Sequence, residues 1–126
     1  MALDNAPSLT WRILGAAIEV HRELGPGLLE NAYRECLVDE LRRTGLCVER
    51  ELALPVVFRG RKIDFAYRAD LVVNEEVLVE LKAVEVLLPI HEAQTLTYMR
   101  LAHLPVGLLL NFHVPRLKDG IRRFVN

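Results

Sequence analysis

Cysteine is scarce in this 126-residue chain: there are two, Cys36 and Cys47, in apolar surroundings and without Cys or His partners at metal-binding spacing. That scarcity excludes a disulfide framework and a thiolate zinc site. The expectation is two reduced, partly buried thiols in a cytoplasmic protein. Net charge is equally sparse, because 16 Lys+Arg face 17 Asp+Glu and leave −1. A histone-like binder working by bulk charge is excluded, whereas a local basic groove is not. No apolar run reaches the ~18 residues of a membrane span. Met1–Asn5 shows no basic stretch leading into an apolar one, so neither membrane insertion nor a signal peptide is expected. Repeats, low-complexity segments and linkers are missing as well. What remains is 52% hydrophobic and 26% charged. This is enough apolar material for a core, at the length of one compact domain over residues 1–126.

Helical and strand periods divide the chain. Ser8 or Thr10 can cap a first helix on which Leu9, Ile13, Leu14, Ala17, Ile18 and Leu24 recur at the helical period, and Gly25-Pro26-Gly27 stops it. A second helix is predicted from about Leu28 to Thr44. Its apolar face carries Ala32, Tyr33, Cys36, Leu37 and Leu41, and Gly45 stands where a left-handed C-terminal cap is wanted. A strand from Leu46 to about Phe58 is interrupted near Pro55, which marks it as bent or at a sheet edge. Arg59-Gly60 signals a turn into a second strand, about Arg61 to Asn74, with Ile63, Phe65, Tyr67, Leu71, Val72 and Val73 apolar. Asn74-Glu75-Glu76 then turns the chain into a strand at Val77–Lys82. Pro89 suits the first turn of a helix reaching about His103. Val106–Phe112 is almost wholly apolar, as in a strand covered on both faces, and a last strand follows the polar turn Lys118-Asp119-Gly120 at Ile121–Val125. The order predicts a mixed α/β domain.

The chemistry concentrates in one hairpin, Arg68-Ala69-Asp70-Leu71-Val72-Val73 and Val77-Leu78-Val79-Glu80-Leu81-Lys82. If Asn74, Glu75 and Glu76 form the loop, Val73 faces Val77, and counting back sets Asp70 opposite Glu80. Opposed residues share a sheet face with Cβ atoms about 5 Å apart, and Lys82, two residues on, joins them by strand alternation. Two carboxylates at that distance repel strongly in a low-dielectric setting. A hard divalent cation, Mg²⁺ or Mn²⁺, relieves the repulsion through oxygen ligands. Val77, Leu78, Val79, Leu81, Ala83 and Val84 mark an interior strand, where charge is costly. Spacing alone leaves a buried ion pair, Glu80–Lys82 or Asp70–Lys82, as the competing reading.

Gly27-Leu28-Leu29-Glu30-Asn31-Ala32-Tyr33 resembles the signature of the GxxExxY family of small bacterial and archaeal proteins. The resemblance continues through Arg68-Ala69-Asp70-Leu71, Val79-Glu80-Leu81-Lys82-Ala83, His91-Glu92-Ala93-Gln94, Asn111-Phe112 and Pro115-Arg116-Leu117-Lys118-Asp119-Gly120. It implies the restriction-endonuclease-like PD-(D/E)XK fold, an αβββαβ core with a mixed sheet flanked by helices, here with an extra N-terminal helix and a C-terminal strand. Ala69 stands where the superfamily name has proline. The resemblance further implies Mg²⁺- or Mn²⁺-dependent hydrolysis of phosphodiesters in DNA, or in RNA. Asp70, Glu80, the backbone carbonyl of Leu81 and Glu30 would hold the metal, Lys82 would serve the attacking water or the transition state, and Gln94 would orient water or phosphate. Without it, Glu30 is an ordinary helix-start glutamate and Gln94 a core amide.

Arg59, Arg61, Lys62 and Arg68, or Arg116, Lys118, Arg122 and Arg123, could contact phosphates. His91, Glu92 and Tyr98 are weaker site candidates. His21, His103 and His113 are read as surface or packing residues, and Tyr33 and Trp11 as core. A non-catalytic module binding nucleic acid or a protein is the alternative function, and a structural domain must explain charge in an interior strand. The apolar fraction is compatible with a homodimer.

Overall fold

The structure, a computed structural model, describes residues 8–126, with the backbone alone at residues 64–66. Met1–Asn5, which carry the signal-peptide expectation, and the side chain of Phe65 lie outside the described residues. Two helices come first, α1 at Leu9–Leu24 and α2 at Glu30–Arg43. Strands β1 (Val48–Phe58), β2 (Arg61–Val73) and β3 (Val77–Lys82) follow, then α3 (Pro89–Ala102), β4 (Val106–Asn111) and β5 (Ile121–Val125). This is the predicted order, with one addition: the polar turn before β5 is a 3₁₀ helix, Leu117–Gly120.

The strands form one five-stranded sheet in sequence order. Neighbours are antiparallel except β3 and β4, which run parallel because α3 carries the chain across. β1 is an edge strand with a register shift between Leu54 and Val56, where Pro55 has no amide hydrogen for the ladder. The Arg59-Gly60 turn closes with both residues at positive φ, 51° and 74°, as a two-residue hairpin requires.

Strand alternation sends the two faces of β3 to different layers. Val77, Val79 and Leu81 pack with Ile13, Tyr33, Leu37 and Phe112 under α1 and α2. Leu78 packs with Leu54, Val72 and Met99 under α3. Helices therefore cover both sheet faces, and β3 and β4 are buried throughout apart from their termini.

Ser8 accepts the Trp11 amide and caps α1. The buried face of α1 is Ile13, Ala16, Ala17, Val20 and His21. Trp11, two residues or about 200° before Ile13, points outward and is 69% exposed, against the expectation of a core residue. His21 goes inward instead, its Nε2 2.8 Å from the Val114 carbonyl. Cys36 and Cys47 are exposed, not partly buried. Cys47 lies between buried Leu46 and Val48, so alternation turns it to solvent.

Gly120 marks a close approach. A Cβ there would overlap the backbone carbonyl oxygen of Asn111, which cannot swing aside. Gly120→Ala is expected to destabilise the fold by about 1–3 kcal/mol or more, read by chemical denaturation. Gly107→Ala meets side chains, Met99 closely and Thr95 less so, and no backbone atom; Met99 can turn, so the change is expected to cost less.

Candidate metal centre

β2 and β3 keep a regular ladder only over Val73–Val77, Val72–Leu78 and Leu71–Val79. Beyond it β2 continues along β1 while β3 continues along β4 to the Lys82–Asn111 pair, so the two strands part. Asp70 and Glu80 occupy the next register position, opposite each other as the hairpin count predicts. They do more than share a face. Glu80 Oε1 accepts the Asp70 amide at 3.2 Å, and Asp70 Oδ2 accepts the Leu81 amide at 2.9 Å. Side-chain carboxylates thus take over from backbone carbonyls where the ladder opens, and each is anchored by the other's strand.

Glu80 is only 6% exposed. Burial first, then the neighbouring charge of Asp70, pushes its carboxyl up to about 9, despite the opposing pull of Lys82. Without a cation the Glu80 carboxyl therefore keeps its proton at neutral pH.

The parting strands open a cavity of about 150 Å³, and its walls gather the predicted residues. Glu30 comes from α2, Arg68 and Asp70 from β2, Glu80 and Lys82 from β3, and His91, Gln94 and Tyr98 from α3. Gln94 is exposed at this wall and is not a core amide. The Tyr98 phenol is raised by burial, then by Glu80, Tyr67 and Asp70, and so stays a neutral hydroxyl. His91 uses Nδ1 to accept the Leu88 amide at the start of α3. Glu92 lies instead beside Arg122, at 4.0 Å. Of the basic groups, the hairpin cluster reaches the cavity through Arg68, while Arg116 and Lys118 border a separate depression against α1.

The Gly27–Tyr33 motif has a local explanation. Tyr33 is fully buried, stacks on Phe112 with ring centroids 4.6 Å apart, and donates its hydroxyl to the Gly25 carbonyl at 2.5 Å. The same hydroxyl accepts the Leu28 amide. Phe112 in turn donates its amide to the Lys82 carbonyl. Tyr33 therefore ties the start of α2 to the end of β3, which sets Glu30 at the cavity. Asn111 secures the same end by bonding both the amide and the carbonyl of Val84.

Sequence reasoning missed Arg34. Its Nη1 lies 3.6 Å from Asp70 Oδ1, and its buried Nε has no hydrogen-bond partner among the described residues. The signal was available: Arg34 falls four residues after Glu30, one turn along the same helix face.

Two carboxylates beside an open cavity fit a hard cation that keeps several waters. Burial, then the neighbouring charge of Asp70, drives Glu80 upward, and relief of both is the local reason a cation would bind. Among the described residues no group of three or more His, Cys, Asp or Glu side chains is placed to hold a metal ion, so Glu30 borders the pair without closing a cage. Among the described residues no helix is long and apolar enough to cross a membrane.

Residues 7–124 match the family model of the PD-(D/E)XK nuclease superfamily. No significant match was found among curated proteins or among solved structures. The family match spans nearly the whole sequence and includes every residue of the cavity, and the chain belongs to the PD-(D/E)XK nuclease superfamily.

Proposed function

We propose that this chain is a Mg²⁺-dependent nuclease of the GxxExxY group, hydrolysing phosphodiester bonds in DNA or RNA, with Mn²⁺ able to replace Mg²⁺. One observation carries the reading: buried Glu80 and half-buried Asp70 stand side by side, mutually repulsive and open to a cavity lined by Lys82 and Gln94. Superfamily members generally use divalent metals, and a nuclease fold implies a nucleic-acid substrate. Asp70, Glu80, the Leu81 carbonyl and, directly or through water, Glu30 would hold the ion. A divalent cation supplies Lewis-acid polarisation of a phosphoryl oxygen and makes hydroxide accessible near neutral pH.

The chain's own groups do the rest. Lys82 places an ammonium beside the pair, where it positions the attacking water and offsets charge on the pentavalent phosphorus. Gln94, exposed at the cavity wall, can orient that water or a phosphate oxygen. Arg68 draws the phosphate backbone to the mouth.

Arg34 favours a second reading, a non-catalytic module, because its guanidinium already offers Asp70 a cation. At 3.6 Å that contact is longer than a good hydrogen bond, and Glu80 stays raised in spite of it. The readings separate when purified protein meets single- and double-stranded DNA and RNA, with Mg²⁺ or with chelator. Mg²⁺-dependent cleavage supports the nuclease; metal uptake without cleavage of any of the four supports the module.

A further inference from the structure

β1 and β2 run on past Asp70 as a two-stranded arm, because β3 pairs with only the last three residues of β2. The arm leans over α3 and leaves a groove of about 320 Å³ between them. Val56, Tyr67, Ile90, Thr97, Tyr98 and Leu101 line it. The groove opens directly beside the acidic cavity, and Gln94 and Tyr98 belong to both walls. Tyr67 and Tyr98 set their rings 6.2 Å apart and inclined by 49°. Tyr67 is 47% exposed and Ile90 56%, an unusual outlay of apolar surface at one place.

The surroundings select what fills it. From Ala53 to Arg68 the sequence of the arm carries Arg59, Arg61, Lys62 and Arg68 against a single carboxylate, Asp64. Arg59, Arg61, Lys62 and Arg68 are all exposed. An apolar protein segment would leave the arm's exposed basic residues, and Arg68 at the adjacent cavity, without a counterpart, whereas a polyanion with flat apolar faces matches both features. Nucleic acid is that polymer: phosphates meet the basic residues and a base meets the tyrosines. A base inside a duplex has both faces covered by its neighbours, so the one that enters must be unpaired.

We infer that the groove between the β1–β2 arm and α3 is a subsite for an unpaired nucleobase, stacked against Tyr67, next to the phosphate that enters the acidic cavity. This inference rests on the nuclease reading and narrows its substrate to single-stranded or locally opened DNA or RNA. Base–aromatic stacking of this kind is worth about 5- to 100-fold in affinity per base.

The experiment uses the full chain carrying Lys82→Ala, with Mg²⁺, so that binding is measured without turnover. Affinity is determined for a single-stranded DNA and an RNA oligonucleotide, for the matching blunt duplexes, and for an abasic strand with the same number of phosphates. Single strands are expected to bind more tightly than duplexes. Tyr67→Ala should weaken single-strand binding about 5- to 100-fold and Tyr67→Phe far less. On the abasic strand Tyr67→Ala should change nothing. A Tyr67→Ala loss as large on the abasic strand as on the normal ones overturns the subsite, and so does duplex binding as tight as single-strand binding. Wild-type cleavage of the same strands is followed in parallel. If wild type cuts while Tyr67→Ala binds normally, the subsite fails and the nuclease reading stands; if nothing is bound or cut, both fail.

Discussion

Lys82→Ala is expected to lower Mg²⁺-dependent phosphodiester cleavage by about 100- to 1,000-fold, the usual cost of removing one group that stabilises transition-state charge, while metal uptake persists. Asp70→Ala should lose both. The difference follows from position. Lys82 lines the cavity but donates no oxygen to a cation, whereas Asp70 is half of the carboxylate pair and also holds the Leu81 amide. Calorimetric titration with Mn²⁺ beside cleavage rates separates the two effects. Lys82→Ala that cuts at the wild-type rate would mean that the cleavage belongs to a contaminant. Loss of metal binding in Lys82→Ala would mean that Lys82 shapes the pair instead of serving the reaction.

Glu80→Gln should raise the stability of the metal-free protein and abolish its response to Mg²⁺. The folded carboxyl sits at about 9 against an ordinary value of 4.5. The folded chain thus holds a proton that the unfolded chain gives up, and stability falls as pH rises between those values. The contribution is fully present below 4.5 and is lost as pH passes through about 9. Glutamine cannot ionise, so its advantage over wild type should grow toward alkaline pH and reach on the order of a few kcal/mol. Mg²⁺ reverses the ranking by compensating the charge in wild type alone. Thermal unfolding from pH 5 to pH 9, with chelator and with Mg²⁺, reads all of this. Parallel pH curves for the two proteins in chelator would show that Glu80 is ionised without a cation.

Much of this site was legible in the sequence because β-hairpin register is a counting problem. Once Asn74–Glu76 are the loop, Asp70 has to meet Glu80, and the apolar flanks of β3 bury whatever meets there. Counting predicted that the carboxylates would stand side by side. It could not predict that they would bond across the opened ladder, because that depends on β2 following β1 while β3 follows β4. The Tyr33–Phe112 stack joins residues far apart in sequence and has no local signal, although the resemblance included both.

The misplacements were of another kind. Apolar character places Trp11 and Cys47 inward, yet the periods fixed by Ile13, Leu46 and Val48 point them out; Cys36 is counted on the apolar face of α2, but the buried stripe is Tyr33, Leu37, Val38 and Leu41 and leaves it at the exposed margin. Arg34 comes immediately after the Gly27–Tyr33 motif, so a reading centred on Gly27, Glu30 and Tyr33 does not reach it. The groove at Tyr67 needed the bend of the arm over α3, which no spacing carries.

The central claim is that Asp70 and Glu80 share one divalent cation. A crystal structure of the protein soaked in Mn²⁺, with the ion located by anomalous scattering, tests it directly. The predicted result is a Mn²⁺ peak between the two carboxylates, with an oxygen of each in its coordination sphere and the remaining positions filled by water, the Leu81 carbonyl or Glu30. Saturating Mn²⁺ that binds elsewhere, with Asp70 and Glu80 still bonded only to each other's strands, would contradict it.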